Sequence, residues 1–325
     1  MDKKKILIVC YSFFPRISPR SFRATELAKE FSKQGHDVTV LIHKRNHDYS
    51  KFEQKYNLKV EDFVNDRWKE IQGSNILIKA VRFFLNYLFL FPDIQLTSFL
   101  KKELQNYSGY DLLISIAIPY PVHWGVALAI KKNKKLCKTW VADCGDPFMG
   151  NKERKFNHPF YFHFLEKWFC KKPNYITVPI DEAIQAYPTS CRTKIRVIPQ
   201  GFNFEESKNN ITPKNSIPTF AYAGGLSKGF RDPTEFLEYI SSVDSPFKFI
   251  VYTKSVNVVL PFKNILGNKL EIRDYIPREQ LLKELSSMDF LINFENKNNV
   301  QSPSKLIDYA LAGRPILSIN ASSLN

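Results

Sequence analysis

Residues 5–11 form a short apolar run of the kind that a parallel strand buried on both faces needs. A turn-rich loop follows, Phe14-Pro15-Arg16-Ile17-Ser18-Pro19-Arg20-Ser21. Residues 22–34 then place Ala24, Leu27, Ala28 and Phe31 on one helical face, and Gly35 suits the left-handed residue that ends a helix. Residues 38–42 read as a second strand. Such a strand–loop–helix–strand unit sets its polar loop at the carboxyl end of the first strand, where α/β sheets bind ligands. The pattern points to an α/β fold. The loop lacks G-x-G-x-x-G, which argues against a dinucleotide-binding dehydrogenase.

The alternation continues along the chain. Residues 110–116 read as a strand, followed by Pro119-Tyr120-Pro121 and an apolar helix over 122–130. Residues 139–142 lead as a strand into Asp143-Cys144-Gly145-Asp146-Pro147-Phe148, where two carboxylates three positions apart can face a cleft or make an Asx turn. An aromatic helix over 160–170 and strands at 175–178 and 195–198 complete a first domain, 1–198. The polar stretch 199–217 reads as a linker, and 218–325 as a second domain with strands at 219–223, 247–252, 290–294 and 315–318. Its first loop, Gly224 to Pro233, sets Gly224 and Gly225 beside Lys228 and Arg231. A Gly-rich turn with two cations before a helix suits a diphosphate, or is a solvated turn.

Ser302 to Leu317 reads as loop, helix and strand, with Ser302 a cap and Pro303 the first helical residue. Leu306, Ile307, Ala310 and Leu311 share one face; Ser304, Lys305 and Asp308 gather on the other. A carboxylate and an ammonium beside free backbone N–H groups fit a phosphate and a sugar diol. An ordinary amphipathic helix with solvated charges is the alternative.

At 325 residues the chain is long enough for two domains. Its formal net charge of +15 predicts attraction to nucleic acid, an acidic membrane surface or phosphorylated small molecules. Five dispersed cysteines without a C-x-x-C pair fit reduced thiols in a cytosol. The opening apolar run is too short for a signal peptide. Residues 76–91 are rich in Phe, Leu and Tyr but carry Lys79 and Arg82. They are too short and too charged for a span of ~20 apolar residues and read first as a core helix, with a membrane-surface helix as the sharper alternative.

The stretch 302–317 resembles the donor-site helix of family 4 glycosyltransferases, which have the two-domain GT-B architecture. Family members read Ser-Pro-x-Lys-Leu-x-Glu-Tyr and then Ala-x-Gly-x-Pro; here Asp308 stands at the Glu position. The family's other acidic residue, eight positions earlier, is Val300 here. Arg23-x-x-Glu26-Leu27-Ala28 through Gly35-His36-Asp37-Val38 resembles the family's opening, with Ser18-Pro19-Arg20-Ser21 where glycines are usual. Asp143 to Phe148 resembles Asp-x-Arg-Asp-Pro-Trp, with Gly145 at the Arg position. Pro199-Gln200-Gly201-Phe202-Asn203 resembles the family's domain crossover.

The resemblance implies a GT-B fold with two Rossmann-like domains facing a cleft. It implies a glycosyltransferase moving a sugar from a UDP- or GDP-linked donor to an acceptor hydroxyl, with retention and without a metal. Asp308 would hold the ribose, with Lys305, Ser302, Ser304, Gly224 and Gly225 around the donor and Tyr275 and Ile276 beside the base. Lys228 or Arg231 would meet the diphosphate; Gly225 occupies the family's Arg position. Asp143 and Asp146 would lie on the acceptor side as candidate catalytic residues, with no proton-transfer role assigned, and be one residue too far apart for Asp-x-Asp. Ser18, Arg20 and Arg23 would form an acceptor-side phosphate loop. The expected acceptor is lipid-linked, in bacterial capsule or lipopolysaccharide synthesis, with the protein cytoplasmic and peripheral at the inner membrane face. No protein cofactor, metal or nucleic-acid partner is expected. Two rivals stand beside this reading: a basic, non-catalytic nucleotide- or nucleic-acid-binding protein, and a degenerate transferase that binds donor without turnover. A GT-B second domain would also be expected to continue past Asn325, which implies a shortened chain prone to self-association through an incomplete second domain.

Overall fold

The computed structural model describes residues 2–16, 18–63, 68–150, 157–199, 201, 215–229, 231–295 and 305–319. The chain divides into two compact units, Met1–Gly201 and Phe202–Asn325. Most of the linker expected over 199–217 lies outside the described residues, as do residues 320–325, on which the expectation about the chain's end rests.

The first unit runs β1 (Lys5–Cys10), α1 (Pro19–Lys33), β2 (Asp37–Ile42), α2 (Ser50–Tyr56), β3 (Lys59–Asp62), α3 (Ile76–Phe89), α4 (Gln95–Glu103), β4 (Tyr110–Ala117), α5 (Pro121–Lys132), β5 (Cys137–Cys144), α6 (Tyr161–Cys170), β6 (Tyr175–Val178) and β7 (Ile195–Val197). Its strands form one parallel sheet in the order β3-β2-β1-β4-β5-β6-β7. The first two apolar runs do what a strand covered on both faces requires: all of β1 after Lys5 is buried, as is all of β2 after Asp37. The order reverses between β1 and β4, so the crevice at their carboxyl ends is the natural ligand position. α1 starts three residues earlier than its apolar face alone indicates. Ser18 caps it, accepting from the Ser21 N–H at 3.2 Å, and Pro19 opens the first turn.

The second unit runs β8 (Thr219–Ala223), α7 (Thr234–Ser241), β9 (Lys248–Tyr252), α8 (Val256–Leu266), β10 (Leu270–Arg273), α9 (Arg278–Ser286), β11 (Phe290–Phe294), α10 (Lys305–Ala312) and β12 (Ile316–Ile319). Its parallel sheet has the order β10-β9-β8-β11-β12, with the reversal between β8 and β11. Phe220, Phe236, Phe249 and Phe294 fill one face, and Tyr252, Leu285, Leu291 and Tyr309 the other.

One expectation is overturned. The 76–91 stretch is a helix but not a core helix: no residue of α3 is buried, and Ile76, Leu77 and Phe84 are 87, 69 and 58% exposed. Asn75 caps it by accepting from the Ile78 N–H at 2.8 Å, so local capping defines its start although none of its residues is buried. Among the described residues no helix is long and apolar enough to cross a membrane.

Candidate functional site

In the second unit the site residues gather where β8 ends. Gly224 turns the chain at φ +145°, and a Cβ there would meet the Tyr222 hydroxyl at 3.2 Å and Lys305 Cδ at 3.8 Å, so the position takes glycine. The Gly225 carbonyl accepts from Tyr222 Oη at 2.7 Å and from Arg231 Nη1 at 3.3 Å. Ser227 and Arg231 exchange both backbone hydrogen bonds, 3.1 and 3.0 Å, closing a small hairpin with Gly229 at φ +76° near its tip. The hairpin leaves Lys228 exposed and folds Arg231 back towards Tyr222.

From the other side α10 brings Lys305. Its ammonium stands 4.2 Å over the centre of the Tyr222 ring and 3.4 Å from the Phe294 carbonyl. Burial, with the Arg231 charge in addition, pulls the Lys305 pKa down to about 6. Two cations thus converge on one buried ring. Tyr309, wholly buried, accepts from the Ala223 N–H at 2.8 Å and so ties α10 to the end of β8.

Asp308, one turn into α10, is paired with Arg278 at the start of α9, by Nε at 2.8 Å and Nη2 at 2.7 Å, both to Oδ1. Burial pushes its carboxyl up against the pull of Arg278. Among the described residues Oδ2 has no hydrogen bond. Tyr275 is half exposed, with Lys254 over its ring at 5.3 Å and the Arg231 charge within reach; Ile276 packs into the core below. Ser302 and Ser304 lie outside the described residues. A groove of about 690 Å³ beside β10 shares Lys254 and Asp274 with this rim but is lined by none of Tyr222, Arg231, Lys305 and Asp308.

In the first unit the loop after β5 is built on buried polar contacts. Asp143, 3% exposed, accepts Arg23 Nη2 at 2.7 Å and Nε at 3.2 and 3.1 Å, and the Thr177 hydroxyl at 2.6 Å. The third arm of Arg23, Nη1, donates to the Pro199 carbonyl at 2.8 Å. Tyr120 Oη donates to the Asp146 carbonyl at 2.7 Å, and the Met149 N–H donates to Glu166 at 3.1 Å. Burial pushes the Glu166 carboxyl up to about 7. His123, lowered to about 3 by burial and so neutral, links Ser115 at 2.8 Å to Cys144 at 3.4 Å.

This geometry revises three first-unit expectations. Arg23 is not a loop cation facing a phosphate, because every arm of its guanidinium is engaged inside the unit. The Ser18 hydroxyl is the cap of α1. Asp143 is a buried ion-pair partner of Arg23 that shapes the loop rather than a carboxylate open to a cleft. Arg20 and Asp146 remain at the surface of the loop. Sequence reasoning missed Tyr222, Arg278, Tyr309, Glu166 and Tyr120. The aromatic residues read as core, and nothing local marks Arg278 as the partner of a carboxylate 30 positions away.

Two parallel-sheet units with helices make up the GT-B fold of glycosyltransferases, and solved structures share it. TarM superposes at TM-score 0.65 and 9% identity, covering 98% of this chain and 86% of that one. A glycosyltransferase from Rickettsia africae ESF-5 gives 0.62 and 13%, over 97 and 79%. The apo lipopolysaccharide outer core galactosyltransferase WaaB gives 0.58 and 13%, over 97 and 80%. The family model for Glycosyltransferase Family 4 matches residues 22–206, more than half of the chain. The chain belongs to that family and is a glycosyltransferase. The comparison with curated proteins gives no match.

Proposed function

We propose that the second unit binds a nucleoside-diphosphate sugar, UDP- or GDP-linked, and that the sugar passes to an acceptor hydroxyl. The observation that carries this is the convergence of Lys305 and Arg231 on Tyr222 beside the Gly224-Gly225 turn. Two basic side chains brought together on one ring repel each other when both are charged, and a diphosphate between them would relieve that repulsion. As the anomeric C–O bond breaks, charge grows on the departing diphosphate oxygen. The acceptor oxygen forms the new C–O bond, and its proton leaves to the diphosphate. Fixed cations lower that barrier most if they act on the leaving group, which is the work a metal would otherwise do. The reaction is accordingly proposed to be metal-independent and, by family resemblance, retaining. Lys228, exposed at the hairpin tip, is a weaker candidate for the diphosphate than Lys305.

Asp308 is proposed to hold the ribose through Oδ2 while Arg278 fixes Oδ1. Tyr275 and Ile276 would flank the base. The acceptor is proposed to be lipid-linked, in bacterial surface polysaccharide synthesis, with α3 lying on an anionic membrane. α3 supports this by exposing its aromatic side and carrying Lys79 and Arg82 with no acidic residue.

A thermal-shift screen of UDP-, GDP- and other nucleotide sugars, followed by product analysis with and without EDTA, tests this reading. Stabilisation by one nucleotide class and EDTA-resistant transfer are expected. Stabilisation without transfer to any acceptor would instead favour a transferase that only binds donor. No stabilisation by any nucleotide would contradict the reading.

A further inference from the structure

Three of the five cysteines gather behind the loop that follows β5: Cys144 at the end of that strand, Cys170 at the end of α6, and Cys191 in the short turn Thr189–Lys194. All three are free thiols and buried, Cys170 0% and Cys191 1% exposed. The Cys191 thiol donates to the Pro188 carbonyl at 3.0 Å and accepts a hydrogen bond from the Cys170 thiol. That bond, helped by the Arg192 charge, draws the Cys191 thiol below its ordinary range against the effect of burial; the same bond, with burial, pushes Cys170 up. Burial pushes Cys10, Cys137 and Cys144 up as well, so Cys191 is the one thiol of the five inclined to ionise. The turn that holds it lies at the surface, with Thr189, Ser190 and Thr193 exposed, within reach of a small oxidant.

Both cysteines sit on supports of the loop. α6 carries Glu166, which accepts the Met149 N–H at 3.1 Å. Tyr187, just ahead of the turn, shares a hydrogen bond of 3.0 Å with Tyr120, which donates to the Asp146 carbonyl at 2.7 Å. A Cβ on Gly150 would lie 2.2 Å from the Ala186 carbonyl oxygen, so the loop rests directly on the turn Asp181–Ala186.

We propose that Cys170 and Cys191 are a reversible oxidation site: hydrogen peroxide converts the pair to a disulfide, which ties α6 to the 189–194 turn and so fixes the loop that both support. The Cys191 thiolate attacks one peroxide oxygen and the O–O bond breaks. Cys191 becomes a sulfenic acid, and the other oxygen leaves as water. The Cys170 sulfur then attacks the Cys191 sulfur, the S–O bond breaks, and a second water leaves with the Cys170 proton. Two thiols and one peroxide thus give one disulfide and two waters, and a dithiol reverses the step. A pair of this kind cycles rather than persists where thiols are kept reduced.

The test uses the intact chain and needs no turnover. The reduced protein is treated with hydrogen peroxide, its remaining thiols are alkylated under denaturing conditions, and the digest is mapped by mass spectrometry. A Cys170–Cys191 cross-link, lighter by two hydrogens, is expected, and dithiothreitol should remove it. In Cys170→Ala, which lacks the resolving thiol, dimedone should trap a sulfenic acid at Cys191. In Cys191→Ala, peroxide should leave Cys170 a thiol. The Met149 amide should exchange its hydrogen at least about tenfold more slowly in the oxidised wild type than in the reduced one. Peroxide should not change that rate in Cys191→Ala. Recovery of Cys170 and Cys191 as alkylated thiols from peroxide-treated wild type, or a bridge that uses Cys144 instead, overturns the proposal whether or not the variants fold. A Cys170–Cys191 bridge that leaves exchange at Met149 unchanged overturns the tie to the loop.

Discussion

At Lys305, burial and a neighbouring arginine oppose the ammonium form. Its folded pKa of about 6 lies below the ordinary 10.5. Between those values the unfolded chain binds more protons than the folded one, so this group makes stability rise with pH across the window. A bound diphosphate favours the ammonium and raises that pKa. Donor binding is therefore expected to take up as much as one proton per site near pH 7.5 and to weaken as pH rises. Calorimetry in buffers of different ionisation enthalpy measures this; uptake indistinguishable from zero would remove Lys305 from the diphosphate. A second residue-scale expectation concerns Arg23 and Asp143. Removing one partner of a buried pair leaves an uncompensated charge and typically costs about 3–5 kcal/mol. Asp143→Ala should destabilise the first unit by that order in denaturant unfolding, and Arg23→Met added to it should recover part of the loss. A destabilisation of the single variant below ~1 kcal/mol would show that the pair is not structural. Both residues were legible as important, but their pairing was not. They are 120 positions apart and meet only in the folded chain, where the Arg23 side chain reaches from α1 to the end of β5.

Among the elements, α3 is an apolar helix with no buried residue. Substituting Phe83 and Phe84 together by Ser should leave the unfolding temperature nearly unchanged, as surface changes usually stay within about 0.5 kcal/mol. The same change should reduce co-sedimentation with anionic vesicles at low salt, as should Lys79→Glu with Arg82→Glu. Equal sedimentation of all variants would separate α3 from the membrane. Periodicity made this helix visible but could not tell a core face from an exposed one, since both are apolar. The parallel strands were legible as short apolar runs. α8 was not, because Pro261 lies inside it and proline normally argues against a helix interior. α2 and β3, of seven and four residues, are too short for a periodic signal.

On the scale of the whole molecule, each sheet reverses its strand order once, and each reversal places its candidate residues at the strands' carboxyl ends. The α/β class and the GT-B resemblance were readable because local patterns repeat across the chain. What brings Lys305 to Tyr222 was not, since it depends on β8 and β11 being neighbours. The central claim is that this meeting point binds the donor diphosphate. It is tested most directly by calorimetric titration of UDP and GDP into the wild type, Arg231→Ala and Lys305→Ala. One of the two nucleotides should bind the wild type. Each variant should bind it about 10- to 150-fold more weakly, the loss expected for a charged hydrogen bond of ~1.5–3 kcal/mol. Wild-type affinity in both folded variants would contradict the claim.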